Sequence, residues 1–472
     1  MHTVSSIQKR LWPVVAAAVL LASLAIVPGA FAHGGADGLW CTHGNLNGTT
    51  RTFSLTTRTG YILTPDANTV YMWGLSEGSN PFQHPSPVLC TNEGETITII
   101  VHNNLREDIS LIFPGQDNVL ADGAPAQPQF DGGGVLTSLT NVAPAGGGSV
   151  TYSFVATHPG TFAYESGTNP DVQVPLGLFG ALIVRPLAGE FFVYNDSALP
   201  AGQNSEFNHG KLDDMGDLVA SGENLMLQSE VDPALSLAAE KFQEQGIGTS
   251  VNYNMNNYHP RYWLLNGRGL PDTIAPNFAS WLPSQPYGAL AVTEPNDGMY
   301  NDGTGWVPNP GAMNPLYYLE RFLNLSSQPL PFHPHGKNAL VIGRDAQPVR
   351  GPLGEDLSFE RFALVAGPGQ TYDALFHWHN REVYDPVTNP IPVDDPGWQN
   401  LQYGPHYSGS PYLGQMGDMP PGFTTHNQCG EYYIITHNHA LFQLTSWGVP
   451  MTGPGTFMRV NPPGGCAPMA MP

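Results

Sequence analysis

Short apolar and β-branched runs, each broken within a few residues by glycine or proline, limit what this chain can fold into. Glycine (54) and proline (45) are spread along the 472 residues without a repeat, and only 12% of residues are charged. The runs between these turn-forming residues are strand-like: Glu95-Thr-Ile-Thr-Ile-Ile-Val-His102, Ser149-Val-Thr-Tyr-Ser-Phe-Val155 and Gly180-Ala-Leu-Ile-Val184. β-Branched side chains suit a pleated, half-buried surface, and glycine and proline suit the turns between strands. Strands at this spacing predict β-sandwiches. One segment, Asp232 to Gln245, predicts a helix, with Asp232 as N-cap and Pro233 in the first turn.

Two His-x-His pairs stand about a hundred residues apart, His333-Pro-His335 and His437-Asn-His439, each inside an apolar strand-like run. Along a strand, residues i and i+2 point to the same face. Each pair can therefore present two imidazoles to one side, and two such strands side by side present four. Neutral imidazole suits copper, zinc and iron, so the four are candidate ligands of a transition metal.

Residues 1–32 read as a secretory signal: Lys9 and Arg10, an apolar stretch from Leu11 to Val27, and the small-residue site Ala30-Phe31-Ala32. An uncleaved anchor is the alternative, but the apolar run is short for a span and contains Pro13 and Pro28. No other segment is long and apolar enough to cross a bilayer. The mature chain is expected to be exported, to the periplasm or outside the cell. It would carry 15 basic against 39 acidic residues, a balance that repels nucleic acid and anionic lipid. Four cysteines (Cys41, Cys90, Cys429 and Cys466) fit an oxidising compartment and disulfides rather than a zinc site, since none lies in a CxxC spacing. Chain order suggests Cys41 with Cys90 and Cys429 with Cys466, although four cysteines allow three pairings.

After the signal, residues 33–187 form a first sandwich and residues 188–220 a polar linker. Residues 221–472 form a second sandwich with a Pro/Asn/Gly-rich insertion at 275–315. A third sandwich within residues 188–320 is the alternative.

At this point a resemblance emerges. In order, the chain carries Val101-His-Asn-Asn-Leu105, Gly160-Thr-Phe-Ala-Tyr164, Gly177-Leu-Phe-Gly-Ala-Leu-Ile-Val184 and Trp263-Leu-Leu-Asn-Gly-Arg268 with Pro271-Asp272. There follow Arg321-Phe-Leu-Asn324, Pro331-Phe-His-Pro-His-Gly336, Pro368-Gly-Gln-Thr-Tyr-Asp373 and Tyr432 to His439. Over most of the mature length this resembles the multicopper oxidases. The resemblance implies an all-β chain of tandem cupredoxin-like Greek-key β-sandwiches. In that family, four His-x-His motifs hold a trinuclear copper cluster, and a separate type 1 copper on a Cys and two His feeds it electrons. His333 and His335 fall on the third motif and His437 and His439 on the fourth.

The remaining ligands do not carry over. Ile112-Phe113-Pro114-Gly115 stands where the first motif belongs, and Tyr164-Glu165-Ser166-Gly167 where the second belongs. Asn438 replaces the type 1 Cys, Leu330 and Gln443 replace its His, and Gly448 lies near the expected axial Met, with Met451 three residues farther on. Without a thiolate the family's fast electron-accepting site is lost. Glu165 could complete a site as a carboxylate, or ion-pair or face solvent. His377-Trp-His379 matches no family motif and reads as a surface or rim pair. His33 would begin the mature chain, in a tail. His102 and His158 lie outside ligand positions, Asn438 points away from the two His that flank it, and Met469 and Met471 are too few for copper capture.

The expected function is an exported oxidoreductase resembling the multicopper oxidases, with copper on a reduced four-His site. It would oxidise a small reductant or a metal ion drawn to the acidic surface. Alternatives are a non-catalytic metal-binding protein and a pseudo-enzyme that binds a partner. No catalytic residue is assigned, and the resemblance suggests a homotrimer.

Overall fold

The computed structural model describes residues 38–189, 191–200, 202–207, 222–293, 299–301, 306–308, 317–377, 432–449 and 452–460. The signal segment, His33, His379, Cys429, Cys466, Met451, Met469 and Met471 lie outside these residues. In chain order the strands used below begin with β1 (Thr50–Leu63), β2 (Thr69–Glu77), β3 (Leu89–Asn92), β4 (Thr96–Asn103) and β5 (Leu111–Ile112). They continue with β6 (Gly148–Val155), β7 (Gly160–Ser166), β8 (Phe179–Arg185), β9 (Glu223–Val231), β10 (Tyr262–Leu265), β11 (Ala291–Thr293) and β12 (Tyr318–Asn324). The last are β13 (Leu330–Pro334), β14 (Ala339–Arg344), β15 (Leu364–Ala366), β16 (Thr371–Phe376), β17 (Tyr432–Asn438) and β18 (Gly455–Val460).

The fold is all-β, in two pairs of facing sheets. One sheet carries β2, β1, β4 and β6 and faces a second of β3, β8, β7 and β5. Parallel β1–β4 and β3–β8 contacts within otherwise antiparallel sheets require crossover connections, as in a Greek key. Period-2 patterning builds this core: Ile97, Ile99 and Val101 of β4 lie in register opposite Phe154, Tyr152 and Val150 of β6, and all six are buried. The later pair consists of β10, β9, β12, β16 and β14 against β11, β18, β17, β13 and β15.

β8 is buried on both faces, which explains why Phe179 to Val184 reads as a continuous apolar run. Leu182 and Val184 face the first core. Phe179, Ala181 and Ile183 face Leu225 and Leu227 of β9 and Leu323 of β12. A buried charge network spans the same junction. Glu223 pairs with Arg185 and Arg321, Arg321 also meets Asp373 at 3.3 Å, and Asp373 accepts from Thr161 and Tyr194 at 2.6 Å each.

The predicted helix spans Pro233–Gln243, and the Asp232 carboxylate accepts from the Ala234 N–H at 2.8 Å as its cap. It closes the first core with Leu235, Ala239 and Phe242. Two four-residue helices that the sequence pattern did not announce occupy Pro170–Gln173 and Leu441–Leu444. Cys41 and Cys90 form a disulfide, as chain order suggested. The start of the 275–315 stretch is pinned from below: fully buried Arg268 donates to the carbonyls of Ala275, Pro276 and Gln285. Its burial lowers the guanidinium pKa to about 10.

Candidate metal centre

β13 and β17 lie side by side and antiparallel, with His333 directly opposite His437 and Phe332 opposite Asn438. Alternation sorts their side chains. Leu330, Phe332 and Ile434 enter the core between the two later sheets, and the histidines occupy the outer face. The ladder extends past the strand ends: the His335 N–H donates to Ile435 O at 3.2 Å and the His439 N–H to Pro331 O at 2.7 Å. All four sequence-predicted imidazoles therefore meet on one face. Ring centroids lie 4.8 Å apart for His333–His335, 5.7 Å for His333–His437, 5.2 Å for His333–His439, 5.1 Å for His335–His437 and 5.4 Å for His437–His439.

Hydrogen bonds set which nitrogens are free. His333 Nδ1 lies 2.6 Å from the Phe362 carbonyl and His437 Nδ1 lies 2.9 Å from the Asn438 carbonyl. A carbonyl only accepts, so each Nδ1 carries the proton and each neutral ring keeps an Nε2 lone pair for a ligand. His335 Nε2 and His437 Nε2 are 3.2 Å apart. Two imidazole nitrogens at 2.0–2.1 Å from one tetrahedral ion stand about 3.3 Å apart, so this pair fits a shared metal. Burial first, and the neighbouring imidazoles after it, lower the pKa of both His335 and His437, keeping these rings neutral and able to ligate. Among the described residues no three His, Cys, Asp or Glu side chains have their donor atoms already gathered to hold one ion. The backbone brings the four rings together on one face. Beside His333 and His335 a cleft of about 510 Å³ opens between Lys337, Asn338, Glu360 and Phe362.

On the core side of the same strands, amides fill the space expected for a type 1 copper. The Asn438 amide donates to Gln443 and, at 3.3 Å, to Gln228. Gln443 donates to Gln328 at 2.9 Å, and the Asn438 carbonyl oxygen accepts from the Ala440 N–H at 2.7 Å. Asn438 is thus a hydrogen-bonded structural residue, pointing away from His437 and His439. Gln228 and Gln328 were missed at the sequence level, although a glutamine ending the apolar run of β9 is a signal that a buried polar partner exists.

The other candidates fall elsewhere. Glu165 sits on β7 opposite Ile112, in the first pair of sheets, with its pKa raised by burial. His102 and His158 are exposed, and His377 packs half-buried against Tyr317, with ring centroids 5.6 Å apart. Phe362, whose carbonyl orients His333, carried no sequence signal, because it acts through its backbone.

Residues 65–189 match the model of the multicopper oxidase family. Two curated relatives align as well: multicopper oxidase VdtB of Byssochlamys spectabilis, 32% identical over 110 residues, and multicopper oxidase CTB12 of Cercospora beticola, 32% over 100 residues. Residues 65–189 are thus similar to a multicopper oxidase domain. The alignments cover 23% and 21% of this chain and 14% of each relative's length. Among solved structures, a blue copper oxidase from Nitrosomonas europaea superimposes with a TM-score of 0.49 at 14% identity, covering 88% of this chain and 86% of that one. The family match falls on the strands that lack the first two multicopper oxidase motifs, whereas the four imidazoles stand outside it on β13 and β17.

Proposed function

We propose that His333, His335, His437 and His439 hold copper, and that the protein is an exported oxidoreductase acting on a small reductant or a metal ion that reaches this site directly. The observation that carries the reading is the convergence of four imidazoles on one sheet face, with the Nε2 atoms of His335 and His437 3.2 Å apart. All-imidazole donors suit copper among the first-row metals. Copper supplies one-electron redox chemistry when bound. The chain's own part is to hold the rings: the Phe362 carbonyl fixes the tautomer and orientation of His333, and the Asn438 carbonyl does the same for His437. Because Asn438, Gln443 and Leu330 provide no type 1 ligands, a reductant must come to the cleft at His333 and His335 rather than to a remote site. Glu360 and Lys337 line that cleft and place one acidic and one basic group beside an arriving ion or hydroxyl compound.

The Cys41–Cys90 disulfide supports an oxidising compartment, and none of the described helices is long and apolar enough to cross a membrane. The imidazoles face away from the core shared with the sheet that packs on the first sandwich. By resemblance, a homotrimer is the assembly this reading expects. Oxygen uptake by the copper-loaded protein, assayed with phenols, Fe(II) and Mn(II), tests the reading. Uptake should depend on one of these reductants and vanish in His335→Ala. Copper retention without uptake from any of them would favour the second reading, a non-catalytic metal-binding protein.

A further inference from the structure

We propose that a second cleft, away from the imidazoles, binds a single-ring aromatic carboxylate carrying a hydroxyl donor. The cleft encloses about 240 Å³ and draws its walls from separate elements. Asp66 comes from the β1–β2 turn, Arg261 and Tyr262 from the start of β10, and Ser446 and Trp447 from the turn after the Leu441–Leu444 helix. Its volume falls below the ~300–1,000 Å³ of pockets for drug-sized molecules, which suits one substituted ring.

Three features of the walls select the ligand. Arg261 is exposed, and its guanidinium makes no hydrogen bond, ion pair or ring contact among the described residues. On a chain of net charge −22 that is an unusual group to leave uncommitted, and a guanidinium fork matches a carboxylate. Trp447 provides the ring surface. It is 46% exposed, yet it is braced by an Nε1–H bond to Pro260 O at 2.8 Å and by ring contacts with Phe442, His259 and Trp263 at 5.0, 5.2 and 5.9 Å. A rigid, half-exposed indole stacks on a planar ligand without losing side-chain entropy. The third feature is hydroxyl chemistry. Asp66 is a fixed acceptor, held by Thr64, Asn68 and Tyr262 at 2.6, 2.8 and 2.9 Å.

The backbone agrees with this assignment. Ser446 and Trp447 both adopt left-handed conformations, with φ of 43° and 62°. That region is unfavourable for side chains with a Cβ, above all for one as large as indole. The turn therefore holds Trp447 against its own preference, as binding sites do. The proposal does not depend on copper.

Calorimetric titration of the whole protein with 4-hydroxybenzoate, backed by ligand-observed NMR, tests the assignment. Binding should be at least about tenfold weaker for Arg261→Gln, the loss expected for one charge-assisted pair, and only partly weakened for Arg261→Lys. Phenol and cyclohexanecarboxylate, each lacking one recognised feature, should bind more weakly than the probe. Trp447→Leu should also weaken binding, and Arg261, being exposed, can be replaced without endangering the fold. His335→Ala should bind as the native chain does. No binding, equal binding by Arg261→Gln, or loss in His335→Ala would overturn the proposal, the last by placing the ligand at the imidazoles.

Discussion

Glu320 is a buried carboxyl of the second sandwich whose cost depends on pH. It sits mid-strand in β12 with Asn224 and Ala374 as cross-strand neighbours, fully buried, and neither carboxylate oxygen has a hydrogen-bond partner among the described residues. Burial raises its pKa from 4.5 to about 8. The folded chain therefore keeps the proton over a pH range in which the unfolded chain has released it. Stability is full below about pH 4.5 and falls as pH rises through the window up to about 8, where the folded carboxyl finally ionises. At about 1.4 kcal/mol per pH unit, the loss across that window is about 5 kcal/mol, and some 3 kcal/mol of it has accrued by pH 7. Glu320→Gln removes the titration while preserving shape. Urea unfolding of both proteins from pH 4 to pH 9 should give a stability difference that grows steadily in favour of the glutamine variant. If the two curves ran parallel between pH 5 and pH 8, the buried, unpaired carboxyl would not be the source and the reasoning would fail.

Three further predictions concern the scaffold. Arg321→Met leaves Glu223 and Asp373 facing each other's charge inside the junction, and should cost about 3–5 kcal/mol in urea unfolding. Asn438→Ala strands the Gln228 and Gln443 amides, and should cost about 1–3 kcal/mol while copper content per chain stays unchanged, which separates the amide network from the metal centre. Reduction of Cys41–Cys90, which closes a loop across a separation of 49 residues, should cost about 4 kcal/mol, read as a lowered Tm in the presence of a phosphine reductant.

The sheets were legible in the sequence where a strand buries one face, because alternation then shows in the residues themselves. Ile97, Ile99 and Val101 announce β4, and Val150, Tyr152 and Phe154 announce β6. The two His-x-His pairs were legible for the same reason: period 2 puts each pair on one face, and the antiparallel register of β13 with β17 needed only to set His333 opposite His437. What stayed hidden depends on contacts between distant segments. Nothing local shows that Glu223, 98 residues before Arg321, is its partner. Nothing local shows that Phe362 lends its carbonyl to His333, or that Gln228 and Gln328 converge on Asn438 and Gln443. The short helix Leu441–Leu444 escaped because four residues are too few to display a 3.6-residue period.

The central claim is that four imidazoles from β13 and β17 hold copper without help from a type 1 site. Elemental analysis of copper per chain after loading and exhaustive dialysis tests it most directly, on the native protein, His335→Ala and His437→Ala. About one copper per chain, lost in both variants, is the predicted result. No retained copper, or retention undiminished in both variants, would contradict the claim, and three or more coppers per chain would show that ligands outside the four histidines take part.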